Sequence, residues 1–234
     1  MNQQSLNNIL FRNQKNFHSI VDINFEFEKI IRLDLSKNNS HLNASIYNHL
    51  PSFCDYINNA LYQTKAKFGV GGYLENRNLY NISEHFNNNN SNERTIHLGI
   101  DIWGKENSPI FAPLAGKVHS FKNNNNFRDY GATIILQHQL ENYIFYTLYG
   151  HVSLKNISNL SIGQLITSGE LFANFGNTNE NGKWPPHLHF QIIIDFGNFE
   201  GDYPGVCSLD ELDSYKRNCP DPDLILHFNH HLKS

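Results

Sequence analysis

The chain has 234 residues, 39% of them hydrophobic and 17% charged, with a formal net charge of −4. That suits one sizeable domain or a domain with a smaller attachment, and it excludes a disordered chain. The negative balance argues against a nucleic-acid partner and against an anionic membrane surface, and no stretch approaches the roughly 20 apolar residues of a membrane span.

The N-terminus, Met1 to Arg12, lacks a basic region followed by an apolar run, so it does not read as a secretory signal. A cytoplasmic location is the expectation, with export by another route left open. Three widely spaced cysteines, Cys54, Cys207 and Cys219, form no CxxC pair and suggest a reducing compartment rather than a disulfide framework.

From Ile20 to Leu35 apolar and polar residues alternate: Val21, Ile23, Phe25 and Phe27 against Asp22, Asn24, Glu26 and Glu28. That period predicts one long strand or two short ones. Ile46, Leu50, Phe53, Ile57 and Leu61 then recur at helical spacing, predicting a helix that starts near 48–52 with Pro51 in its first turn. Gly69, Gly71 and Gly72 are expected to end it. The polar tract from Phe86 to Glu93 reads as a surface loop and an internal boundary, and Lys122 to Asn126 as a loop between strands.

Beyond Thr95 the pattern becomes short strands separated by turns. Segments 95–102, 116–121, 132–138, 143–149, 171–175 and 187–194 are strand candidates, and 161–170 reads as tight turns around one more. The fold class expected is mainly β, an antiparallel sandwich or barrel-like domain with an α/β N-terminal segment. Three parts are expected: an accessory region over 1–85, a main β domain over 86–200 and a tail over 201–234 that wraps the surface.

Three clusters carry chemistry. In His97-Leu-Gly-Ile-Asp101 a strand would put His97 and Asp101 on one face, with Ile96, Leu98 and Ile100 on the other and Gly99 leaving room between the polar pair. In His187-Leu-His189-Phe-Gln191 the same parity puts His187, His189 and Gln191 together. Two imidazoles about 7 Å apart along a strand do not both ligate one zinc comfortably, so one ligand and one catalytic histidine is the natural division. In Tyr149-Gly-His151 the histidine sits where a strand gives way to a loop. Two histidines and an aspartate suit Zn2+ with a fourth position for water. No HExxH is present, which leaves His151 and His187 for proton transfer.

Taken together and in this order, HxxxD, GH and HxH resemble the lysostaphin/LytM family of zinc metallopeptidases. The resemblance runs from about Thr95 to Ile194, through HLGIDIW, IFAPLAGKV, YGATIILQH, YTLYGHVS, IGQLITSGE and WPPHLHFQI. It implies one zinc held by His97, Asp101 and His189, His151 and His187 as the catalytic pair, and a groove above the metal. IRLDLS (31–36), GGYLENRNLY (71–80), WPPHLHF and PDPDLIL (220–226) are also similar to the peptidase-like module fused to aminotransferases and small-molecule kinases.

The resemblance implies a zinc endopeptidase acting on peptides, including peptidoglycan-type peptides with glycine or D-amino acids. A cytoplasmic small-molecule amidase and a catalytically silent binding module with an occluded groove remain as alternatives. Of the other candidates, Gln191 is expected to support a ligand histidine. Trp184-Pro-Pro186 reads as a groove wall or a rigid turn. Tyr73, Glu75, Arg77 and Tyr80 read as a loop packed on the sheet or reaching into the groove. His119 and His138 are expected to be structural, and His227, His230 and His231 a solvated end.

Overall fold

The structure is a computed structural model, and it describes residues 3–80 and 93–232. In chain order the helices are α1 (Gln3–Asn13), α2 (Ala44–Tyr47), α3 (Leu50–Thr64), α4 (Leu154–Ile157), α5 (Leu212–Asn218) and α6 (Asp223–Leu226). The early strands are β1 (Ile30–Leu33), β2 (Phe68–Gly71), β3 (Ile96–His97), β4 (Ile100–Trp103), β5 (Pro109–Phe111) and β6 (Gly116–Asn124). They are followed by β7 (Gly131–Leu140), β8 (Tyr143–Val152), β9 (Leu165–Ile166), β10 (Leu171–Asn174), β11 (His187–Ile193) and β12 (Val206–Cys207). Among the described residues no helix is long and apolar enough to cross a membrane.

The mainly β, antiparallel fold expected from the sequence is present. Eight strands form one sheet in the order β1-β2-β4-β11-β8-β7-β6-β9, and only the β1–β2 pair is parallel. Two short ladders, β10–β5 and β12–β3, stand apart from it. The apolar side chains of β4, β7, β8 and β11 share one cluster with Ile110, Phe172 and Phe175, so the β5–β10 ladder covers one face of the sheet. The other face of β4 and β11 carries the polar residues described below.

The N-terminal strands are part of this sheet. Gly69, Val70 and Gly71 pair with Trp103, Ile102 and Asp101, so β2 seals what would otherwise be the open edge of β4. Helix α1, which the sequence reading did not predict, buries Leu6, Ile9 and Leu10 at i, i+3 and i+4. Helix α3 starts where expected, with Pro51 in its first turn, and buries Phe53 and Ile57.

Four local expectations are corrected. The strand expected over Ile20 to Leu35 is reduced to Ile30–Leu33, with Val21 in an isolated bridge. Asn24 explains the loss: its side chain accepts from Glu26 N–H and its carbonyl from Phe27 and Glu28 N–H, folding the segment into a turn. The glycines after α3 do not end it; the helix stops at Lys65 in left-handed conformation, and Gly69 and Gly71 lie inside β2. At Gly69 a Cβ would approach Leu33 Cδ1 to 2.3 Å, so the glycine permits close strand packing. The loop expected over Lys122 to Asn126 is mostly strand, because buried Asn124 donates to Thr133 Oγ1 and to Gly201 O and extends the pairing with β7. Finally, the segment read as one strand over 95–102 is two, β3 and β4, interrupted at Leu98 and Gly99. The Asn tract and the boundary expected near residues 85–86 fall outside the described residues, apart from Glu93.

Candidate metal centre

The break at Gly99 sends the two halves of the HxxxD motif into different ladders. His97 in β3 pairs with Val206 of β12, whereas Asp101 in β4 lies opposite His189 of β11. The side chains nevertheless converge. His97 Nε2 lies 3.0 Å from His189 Nδ1 and 3.2 Å from Asp101 Oδ1, and His189 Nδ1 lies 3.1 Å from the same Oδ1. Gly99 is needed for this: a Cβ there would stand 2.6 Å from the His189 ring.

The donor chemistry is set by the opposite edge of each ring. His97 Nδ1 lies 3.0 Å from the Gly72 carbonyl, which only accepts, so Nδ1 carries the proton. His189 Nε2 lies 3.0 Å from Gln191 Oε1, while Gln191 Nε2 donates to Pro204 O and Cys219 Sγ. His189 therefore donates from Nε2. What remains is a lone pair on His97 Nε2, a lone pair on His189 Nδ1 and a carboxylate oxygen, all buried and aimed at one another. Three acceptors at such distances repel unless a cation lies among them. Ligand–ligand separations of about 3.4 Å are expected for tetrahedral bonds near 2.1 Å, so the cluster fits a small divalent ion after a slight expansion. Gln191 fills the supporting place that strand parity assigned to it.

Electrostatics agree with a ligand set. Burial works to raise the Asp101 pKa, but His97, Arg77 and the histidine hydrogen bonds outweigh it and hold the carboxyl well below its ordinary value. Burial, reinforced by Arg77, pushes His97 down to about 4 against the pull of Asp101. At neutral pH the site thus holds an ionised carboxylate and an uncharged His97 imidazole.

His187 and His151 stand beside this triangle, their ring centroids 4.1 Å apart. His187 is stacked on Trp103 at 3.9 Å and donates from Nδ1 to Pro185 O at 2.8 Å. His151 donates from Nδ1 to Asn181 O at 2.9 Å. Each neutral ring therefore keeps its lone pair on Nε2. Burial pushes His187 down to about 4. Burial, with repulsion from His187 and His189, puts His151 well below the ordinary imidazole value.

His151 has φ of +61°, uncommon for a residue with a Cβ. Its N–H donates to Tyr130 O, and its carbonyl accepts from Gly176 N–H at 2.8 Å. A Cβ at position 176 would meet that carbonyl at 2.9 Å, so Gly176 allows the turn that presents the imidazole.

All five residues singled out in the motifs line one cleft of about 270 Å³, together with Trp103, Tyr130, Trp184, Arg94 and Arg128. Trp184 forms a wall, and the guanidinium of Arg128 lies 4.1 Å from its ring. Trp103, Tyr130 and Arg128 were not singled out from the sequence; strand parity with Asp101 is a signal that could have found Trp103, whereas Tyr130 and Arg128 carry none. Arg77 reaches the centre, pairing with Asp101 Oδ2 at 2.5 Å. Tyr73 does not; its hydroxyl donates to Cys219 O. The side chain of Tyr80 falls outside the described residues. His138 is buried, between Ala115 O and Thr147 Oγ1, and His119 packs on Tyr146 and Phe196, both remote from the cluster. His227, His230 and His231 form a partly exposed group at the far end of the chain, with His231 stacked on Phe25.

Residues 95–199 match the family model for Peptidase family M23. Among solved structures, the chain is similar to a zinc-containing peptidase from Vibrio cholerae, with 26% identity over 42% of this chain and 27% of that one, TM-score 0.34. It is also similar to the catalytic domain of the antimicrobial peptidase lysostaphin from Staphylococcus simulans, with 21% identity over 52% of this chain and 80% of that one, TM-score 0.36. A third is a mutant catalytic domain of the prophage-encoded M23 protein EnpA from Enterococcus faecalis, with 18% identity over 47% of this chain and 79% of that one, TM-score 0.35. This chain spans about a quarter of the Vibrio cholerae chain. No curated protein sequence matches it. The stretch of the chain that is similar to Peptidase family M23 thus takes in every motif residue of the candidate centre.

Proposed function

We propose that the chain is a zinc-dependent endopeptidase, with peptides that contain glycine or D-amino acids, as in peptidoglycan, for substrates. The observation that supports this reading is the convergence of three cation-seeking donor atoms, 3.0–3.2 Å apart, beside two uncharged imidazoles in one cleft. His97, Asp101 and His189 would hold the ion. When bound, it supplies Lewis acidity that polarises a carbonyl and acidifies a water.

His151 and His187 handle the proton. Both are neutral at pH 7 with Nε2 able to accept, and the backbone carbonyls on Nδ1 favour the charged ring once it forms. Repulsion between rings 4.1 Å apart lets the pair carry one proton at a time. One ring thus takes the proton from the attacking water and returns it to the leaving amine. Its neighbour borders the developing oxyanion. Stacking on Trp103 fixes the plane of His187.

The test combines metal content with turnover on small glycine- and D-amino-acid-containing peptides. The purified protein should carry about one zinc per chain, and His189→Ala should lose both metal and cleavage. His151→Ala should keep its zinc and lose about 10²- to 10⁴-fold in kcat, the usual contribution of a general base. Cleavage by His151→Ala at the wild-type rate would overturn the assignment.

A further inference from the structure

Asp101 has two oxygens with different surroundings. Oδ1 faces the imidazoles of His97 and His189 at 3.2 and 3.1 Å. Oδ2 faces away from them and receives Arg77 Nη1 at 2.5 Å. Arg77 is 1% exposed, and its Nε donates to Glu75 Oε2 at 2.6 Å. Glu75 is anchored in turn, with Oε1 accepting from Leu35 N–H at 3.2 Å just beyond β1. The guanidinium is thus held at two edges, by a carboxylate that fixes it and by the carboxylate it fixes. A planar fork suits this role and an ammonium does not, because two directed contacts are needed at once.

The backbone carries the segment to this place. Arg77 N–H donates to Thr95 O, Leu74 N–H to His97 O and His97 N–H to Glu75 O, clamping 74–77 against the strand that bears the first ligand. Gly72 O orients His97 through Nδ1. Gly71 lies directly opposite Asp101 in the β2–β4 ladder, and a Cβ there would stand 2.7 Å from Arg77 Nη2. The glycine leaves room for the guanidinium to cross behind the carboxylate.

We propose that Arg77, held by Glu75, is the positioning residue of the metal centre: it occupies Oδ2 of Asp101 so that only Oδ1 faces the cation, and it makes metal affinity depend on segment 71–77. The proposal rests on the metal-centre reading above. An exposed surface pair would contribute little, but a fully buried pair leaves an uncompensated charge when one partner is removed. Here the orphaned charge would be a ligand, free to rotate or to offer both oxygens. Partners of metal ligands commonly account for 10- to 100-fold in affinity.

The experiment is chelator-competition titration of the full chain with Zn2+, on wild type, His189→Ala, Arg77→Met, Arg77→Lys, Glu75→Gln and Gly71→Ala, with a thermal melt of each metal-free protein. Wild type should bind zinc and His189→Ala should not; if wild type binds none, the metal-centre reading itself falls and this proposal with it. Arg77→Met should raise the zinc Kd about 10- to 100-fold. Arg77→Lys should recover only part of that loss, and Glu75→Gln and Gly71→Ala should show smaller increases in the same direction. Co2+ in place of zinc gives an independent signature: freeing Oδ2 lets the carboxylate bind through both oxygens, and the visible d–d absorption should weaken as the tetrahedral geometry is lost. If Arg77→Met does not fold, Glu75→Gln and Gly71→Ala decide. Zinc affinity within twofold of wild type in the folded variants, with an unchanged Co2+ spectrum, would overturn the proposal whatever happens to the melting temperatures.

Discussion

Two regions meet at the candidate metal centre and contribute in opposite ways. Residues 95–199, which match the M23 family model, supply every group in the HxxxD, GH and HxH motifs. Residues 3–80 supply no motif residue, yet they hold two of those groups in place, through Gly72 O on His97 and Arg77 on Asp101. They also give the central sheet its outer strands β1 and β2. The contrast teaches that a recognisable sequence motif is not a self-sufficient unit. The donor atoms come from one region, and much of what fixes their orientation and completes their sheet comes from the other.

The comparison is broken most decisively by removing the first region. A chain beginning at residue 93 loses Leu6, Leu10, Phe68 and Val70 from the main core cluster. At about 1.5–3 kcal/mol per fully buried side chain, these four account for about 6–12 kcal/mol, the size of a typical domain's whole stability. The cut also leaves β4 as an open edge. The truncated chain should lose its cooperative melt by circular dichroism and aggregate. A soluble, cooperatively folded fragment with wild-type zinc affinity and higher activity would instead make residues 3–80 a removable cover.

A smaller effect sharpens the role of residues inside the motif segment. Gly99→Ala places a Cβ 2.6 Å from the His189 ring, with the Phe190 carbonyl at 2.7 Å blocking retreat. Overpacking of this kind costs about 1–3 kcal/mol. The melting temperature should drop and zinc affinity should fall at least tenfold in the same titration. An unchanged affinity would show that the His189 ring can shift without losing the ion.

The effect with least bearing on the centre is a pH dependence remote from the cleft. His138, on β7, is buried between Ala115 O and Thr147 Oγ1, and burial pushes its pKa down to about 4. In the unfolded chain the ring titrates near the ordinary 6.5, so between those values the unfolded state binds more protons. Its contribution is therefore complete above about pH 6.5 and is lost as pH falls towards 4, on the order of 3 kcal/mol in all. Urea melts of the metal-free protein should show this decline, and His138→Gln should flatten it by at most one proton's worth of slope. An identical slope in the variant would move the titration to another group.

Much of the centre was legible in the sequence because its rules are local. Alternation along β11 put His187, His189 and Gln191 on one face, and that is where they lie. Gly99 was read as leaving space for what His97 and Asp101 hold together, and the structure puts the His189 ring in that space. The same alternation failed over Ile20 to Leu35, where one asparagine side chain, by capping a turn, overrode a strand-like pattern. Composition misled at Lys122 to Asn126, where a polar run that looks like a loop is stabilised as strand by the buried bonds of Asn124. Gly69 and Gly71, read as helix stops, are strand glycines, because what they relieve is contact with Leu33 and Arg77, neither adjacent in sequence.

The sequence by itself determined the donor types, their order and the face of each strand on which they stand, since those follow from residue chemistry and a two-residue period. The tertiary structure alone decided that His97 and Asp101 belong to different ladders, that β2 closes the edge of β4, and that a guanidinium 24 residues upstream reaches the second oxygen of Asp101. Such contacts depend on how the chain returns to itself, and no local periodicity encodes the point of return.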